Sequence, residues 1–164
     1  MGKQNSHSAG STTSVSRVIN APRSAVYQAF LDADAVAAWL APDNMKSEVH
    51  RFDPREGGEI RMTLIYQSIE ESPDGRGGKS SATTDTFQGK FIALIPDEKI
   101  VWLTEFDSPD PAFAGEMKLT WSFVDAAGGT EVTVLCENIP QGIRPEDNEE
   151  GSRSSLEKLA AFLE

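Results

Sequence analysis

The 164-residue sequence holds one cysteine, Cys136, and two histidines, His7 and His50. A lone thiol excludes an intramolecular disulfide and fits a reducing compartment. Two histidines leave almost no material for a zinc site or for a Ser-His-Asp arrangement, so neither a metal nor another cofactor is expected. No run of about eighteen apolar residues occurs, and no basic start leads into an apolar stretch. A membrane span and a signal peptide are therefore not expected, and the cytoplasm is the expected location. Basic residues are scarce too, 15 Lys and Arg against 26 Asp and Glu, for a net charge of −11. Binding to nucleic acid or to an anionic membrane needs clustered cations to neutralise phosphate, so both partners are disfavoured. Gly57-Gly58 is followed by no Gly-Lys-Ser/Thr, which makes it a turn rather than a phosphate loop.

What is present suits a globular protein: 38% of residues are hydrophobic and 25% charged, enough for one core without a staple. Residues 1–11 are small and polar and read as a disordered lead-in to a single domain over 12–164. From Thr12 to Asn20 the chain alternates, Val15, Arg17 and Ile19 on one face, as in a strand with one protected side. Ala21-Pro22 breaks it. Val26, Tyr27, Phe30 and Leu31 then recur at helical spacing, and Asp32 or Asp34 can cap a second helical piece bearing Val36, Trp39 and Leu40.

Strands are expected at Lys46–Phe52, Glu59–Gln67, Thr83–Leu94, Lys99–Phe106, Glu116–Val124 and Glu131–Asn138, separated by Gly57-Gly58, Pro73-Asp74-Gly75, Pro96-Asp97, Pro109/Pro111 and Gly128-Gly129. Short connections make this an antiparallel meander. Ile60, Met62, Leu64 and Tyr66 share one strand face, and Met117, Leu119, Trp121 and Phe123 share another. Pro145 opens a last helix whose Leu156, Leu159, Ala160 and Leu163 form one apolar stripe. Its first half, with Glu146, Asp147, Asn148 and Ser152, is polar.

Several stretches of the chain, in order, resemble one family. They are Ile19-Asn20-Ala21-Pro22 with Val26-Tyr27-Gln28-Ala29-Phe30; Trp39-Leu40-Ala41-Pro42; Phe52-Asp53-Pro54-Arg55-Glu56-Gly57-Gly58; and Leu119-Thr120-Trp121-Ser122-Phe123. Gly129-Thr130-Glu131-Val132-Thr133-Val134 and Gly151-Ser152-Arg153-Ser154-Ser155-Leu156-Glu157-Lys158-Leu159 complete the set. Together they resemble the SRPBCC (START-like) superfamily, in particular homologues of the activator of the heat-shock-protein-90 ATPase, from about Ser14 to the end. The resemblance implies an α+β helix-grip fold, a curved antiparallel sheet of six to seven strands wrapped around a long C-terminal helix, with two short helices after the first strand. It also implies a role in the stress response. Where the family often has an aromatic in the Gly-Trp pair opening the last helix this chain has Ser152, and where it often has a histidine this chain has Cys136. A relative's ligand is therefore not carried over.

Large side chains on a concave sheet face either fill a core or line a pocket. The resemblance favours a pocket bounded by Trp39, Met62, Tyr66, Phe87, Trp102, Trp121, Cys136, Ser152 and Leu156. No base lies beside Cys136 in sequence, so a buried structural thiol is the reading, and the carboxylates, including Glu105, Glu116 and Glu137, read as solvated. No catalytic residue is named. Three functions stay open: binding of a small hydrophobic or amphipathic molecule, which the resemblance to a helix-grip fold favours; association with a chaperone through protein contacts; and a cyclase- or hydrolase-like enzyme. Monomer and homodimer are equally compatible with the sequence.

Overall fold

Period-two alternation along most of the chain builds one sheet. The computed structural model describes residues 10–41, 45–66, 78–79, 81 and 83–164. In chain order these form β1 (Ser11–Ile19), α1 (Arg23–Gln28), α2 (Ala33–Trp39), β2 (Met45–Phe52), β3 (Glu59–Tyr66), β4 (Thr84–Ile95), β5 (Lys99–Phe106), β6 (Met117–Ala126), β7 (Gly129–Ile139) and α3 (Pro145–Leu163). A 3-10 turn at Pro111–Phe113 interrupts the loop from β5 to β6. The seven strands lie in the order β1-β7-β6-β5-β4-β3-β2, every neighbouring pair antiparallel. From β2 to β7 the chain is a meander, and α1 and α2 carry it from β1 on one edge to β2 on the other. This is the expected α+β helix-grip architecture. The expected lead-in is shorter at its inner end, since Ser11 opens β1 and the Gly10 N–H donates to Asn138 Oδ1. The rest of the lead-in and the Pro73-Asp74-Gly75 turn lie outside the described residues.

The inward face follows strand parity. Ile60, Met62 and Tyr66 on β3, Met117, Trp121 and Phe123 on β6, and Val132, Val134 and Cys136 on β7 are all buried. Register sets large side chains against each other: Trp121 faces Ile100 on β5 and Val134 on β7, and Trp102 faces Phe91 on β4 and Leu119 on β6. Such cross-strand pairs are the unit of sheet stability.

The first helix is shorter than its apolar spacing suggests. It stops at Gln28, and the Phe30 and Leu31 N–H groups donate to the carbonyls of Tyr27 and Gln28 in a tight turn. That turn leaves Asp32 free to cap α2, its Oδ1 accepting from the Asp34 N–H at 2.9 Å. Phe30 is nonetheless fully buried, with its ring 4.6 Å from Trp39 and 5.0 Å from Trp121, centre to centre. Tilted aromatic contacts of this kind add about 0.5–1.5 kcal/mol each beyond area burial.

Pro145 occupies the first position of α3, where its missing N–H has no cost, and Glu146 and Asp147 meet the positive end of the helix dipole. The C-terminal half buries Leu156, Leu159 and Ala160, and the helix as a whole packs chiefly on β1 and α2. Ser155 Oγ donates to the Leu40 carbonyl at the end of α2. Each buried leucine is worth roughly 1.5–3 kcal/mol by area. Among the described residues no helix is long and apolar enough to cross a membrane.

Candidate functional site

Helix α3 changes character along its length, and the sheet beneath it does not. Where the leucine stripe ends, Ser152 and Asn148 replace it, while the inward strand positions opposite remain large and apolar. Two short polar side chains do not fill that space. The result is a cavity of about 540 Å³ between the sheet and the first half of α3, within the range that holds small organic molecules. Trp102 and Phe106 on β5, Met117, Leu119 and Trp121 on β6 and Phe87 on β4 form its apolar wall. Ala112 and Phe113 of the 3-10 turn close one side, held by the Gly142 N–H donating to the Ala112 carbonyl at 2.7 Å.

Six of the residues singled out from sequence lie on this wall: Tyr66, Phe87, Trp102, Trp121, Cys136 and Ser152. Trp39, Met62 and Leu156 do not. All three belong to the solid core, with at most 1% of their surface exposed. Trp39 stands behind Trp121, ring centres 5.5 Å apart, and its Nε1 donates to the Ala29 carbonyl at 3.0 Å. Leu156 is already spent in the stripe that anchors α3, and Met62 is enclosed on β3 beside its register partners Val49 and Phe87. The helices plug that end of the sheet and leave the other open.

Polar groups gather at two places. At the β3–β4 end, Asp85 is 4% exposed and accepts from three donors: the Lys79 N–H at 2.6 Å, Lys79 Nζ at 2.9 Å and the Tyr66 hydroxyl at 3.2 Å. A carboxylate buried this far is tolerable only with such partners. Lys79 also lies 5.2 Å from the centre of the Phe106 ring. Burial first, and then the charges of Asp85 and Asp147, push the Tyr66 phenol above its ordinary range, so it stays a donor.

Under α3, Cys136 meets Ser152, Thr13 and Asn148, and Thr13 Oγ1 donates to Asn148 Oδ1 at 2.5 Å. Burial raises the Cys136 thiol above its ordinary range against the opposing hydrogen bonds of these three groups. Its neighbours are hydroxyls and an amide, none of them a base, which suits an inert thiol. His50 is outside the cavity, its Nε2 in a part-buried hydrogen bond with Thr63 Oγ1 at 2.8 Å. Among the described residues no three His, Cys, Asp or Glu side chains are grouped to hold a metal. The indole nitrogens of Trp102 and Trp121 are buried without an acceptor among those residues; their rings instead meet at 5.5 Å and 65°.

Several wall residues escaped the sequence reading. Thr104 and Phe106 follow Trp102 at the same strand parity, and Asp85 precedes Phe87 at the same parity, so period-two extension alone would have found them. A charged residue at an inward position is itself a signal of a buried pair. Lys79, Ala112 and Gly142 come from loops, where no periodicity points.

The fold and the sequence both have relatives. The chain is 32% identical to a protein of known crystal structure from Chromobacterium violaceum, over 93% of this chain and 96% of that one, with a TM-score of 0.78. An AHSA1-like protein from Aeromonas hydrophila, solved by NMR, shares the fold at 18% identity, over 93% and 91% of the two chains, with a TM-score of 0.67. A protein from Mycobacterium smegmatis does so at 16% identity, over 93% and 90%, with a TM-score of 0.70. No curated protein matches the chain. Residues 20–164 match the family model described as Activator of Hsp90 ATPase homolog 1-like protein, and the chain belongs to that family.

Proposed function

We propose that this protein binds a small, mostly apolar molecule in the cavity between the sheet and the first half of α3. The observation that carries the reading is the cavity itself, about 540 Å³ with a largely apolar, aromatic wall. A larger residue at position 152 would fill part of this space, and the chain has serine there. The open cavity leaves apolar wall in contact with solvent, and a ligand that covers that wall is favoured in proportion to the apolar area it buries. The polar groups sit at the β3–β4 end and under α3, which suits orientation of a bound molecule rather than chemistry on it. The test is titration of the purified protein with the neutral dye Nile red. Saturable fluorescence at one dye per chain supports the reading, and the absence of saturable binding refutes it.

A second reading follows from the family description alone: contact with a chaperone of the Hsp90 class. A pull-down with purified Hsp90, read out by its ATPase rate, distinguishes the two.

A further inference from the structure

Among the described residues four ionic side chains border the cavity: Lys79, Asp85, Asp110 and Asp147. Lys79, Asp85 and Asp147 are held in ion pairs, and Asp110 is paired with no cation among the described residues. Lys79 and Asp85 form a pair at 2.9 Å, with side chains only 16% and 5% exposed. Asp147 receives Arg144 through two hydrogen bonds, Nε to Oδ2 and a terminal nitrogen to Oδ1, both at 3.0 Å. Asp110 is exposed to solvent and accepts from the Ala112 N–H at 2.9 Å.

A charged ligand head entering this site would break that balance. A carboxylate at Lys79 would share the ammonium with Asp85 in a half-buried setting, where two like charges disfavour each other. An ammonium placed at the buried end would find Asp85 and Asp147 engaged and would lose its hydration there, the carboxylate without a cation, Asp110, being exposed to solvent. A hydroxyl or carbonyl meets neither obstacle. An ammonium carries three donors, and Asp85 takes one of them. The Tyr66 oxygen, whose proton goes to Asp85, receives no donor among the described residues and so offers a lone pair.

We propose that the molecule bound is neutral, apolar over most of its length, with one hydroxyl or carbonyl head placed at Lys79 and Tyr66. The proposal rests on the binding reading above and narrows it to a class: long-chain alcohols, monoesters, or ring systems with a single hydroxyl or ketone. It excludes free fatty acids and alkylamines as preferred occupants.

The experiment is displacement of Nile red at pH 8 by 1-decanol, decanoate and decylammonium, which share one chain and differ in the head. At that pH the acid and the amine are both ionised. Decanol is expected to bind at least tenfold tighter than either ion. Asp85→Asn leaves Lys79 without its counter-charge and is expected to move the decanoate-to-decanol affinity ratio at least tenfold toward decanoate. Lys79→Gln leaves Asp85 unmatched and is expected to move the decylammonium ratio likewise, so one variant suffices if the other does not fold. Decanoate binding the natural protein as tightly as decanol overturns the inference and leaves the binding reading standing. Ratios unmoved in the folded variants overturn it equally. If Nile red and all three compounds fail to bind, the binding reading falls and this inference falls with it.

Discussion

Replacing Ser152 by tryptophan tests whether the first half of α3 borders the binding space. Ser152 sits on the cavity wall beside Cys136 and one turn from Asn148. An indole there has room to turn into the cavity of about 540 Å³ without displacing the leucine stripe one turn further on. A tryptophan buries roughly 150–250 Å². If about 100 Å² of that covers wall a ligand would have used, at about 25 cal/mol per Å² the ligand loses about 2.5 kcal/mol. This corresponds to a Kd weaker by roughly seventyfold. Filling the void does not disturb packed neighbours, so the melting temperature should hold or rise. Ser152→Ala is the control: it removes the hydrogen bond to Cys136 but adds no volume, and should leave Kd within about threefold, a loss of under 1 kcal/mol. Both variants are read by Nile red titration and by thermal melting followed with circular dichroism. An unchanged Kd in a Ser152→Trp protein that melts like the natural one would refute the placement.

Three further outcomes follow from packing and ionisation. Leu159→Ala empties a position with no exposed surface and should cost about 2–5 kcal/mol in urea unfolding. Gly151→Ala should stabilise by about 0.4–1 kcal/mol, because a Cβ there meets no atom within 4 Å; in contrast Gly89→Ala should destabilise, its Cβ falling 2.2 Å from the Leu103 carbonyl oxygen. In alkali, Cys136 and Tyr66 both have folded-state pKa values above their ordinary 9.0 and 10.0. The folded state then holds more protons than the unfolded one above these values, so the contribution is complete below pH 9 and is lost as pH rises. Urea midpoints at pH 7, 9 and 10 should fall across the last two, and Cys136→Ala should flatten the fall.

The strands were legible because both faces of the sheet differ in polarity and a one-residue slip would bury the wrong set. Met117, Leu119, Trp121 and Phe123 could only be one face. Helix α1 was read too long because Phe30 and Leu31 are apolar for a reason other than helical periodicity: the turn that follows Gln28 drives Phe30 into the aromatic cluster. The site was half legible for a related reason. Parity says which strand residues point inward, and it placed Trp121 and Cys136 there, but it does not say whether the space ahead of them is filled. Trp39, Met62 and Leu156 share the inward direction and end in solid packing because α2 and the leucine stripe plug their end of the sheet. Lys79 is illegible from pattern, since a loop residue finds its partner Asp85 only through the tertiary fold.

On the binding reading, the space under the first half of α3 is occupied in the cell. Native mass spectrometry of protein purified from its own host, ionised gently enough to retain added 1-decanol, tests it most directly. A population carrying one small neutral molecule per chain is expected, absent from Ser152→Trp. Bare chain as the only species, from a preparation that also fails to retain added decanol, would contradict it.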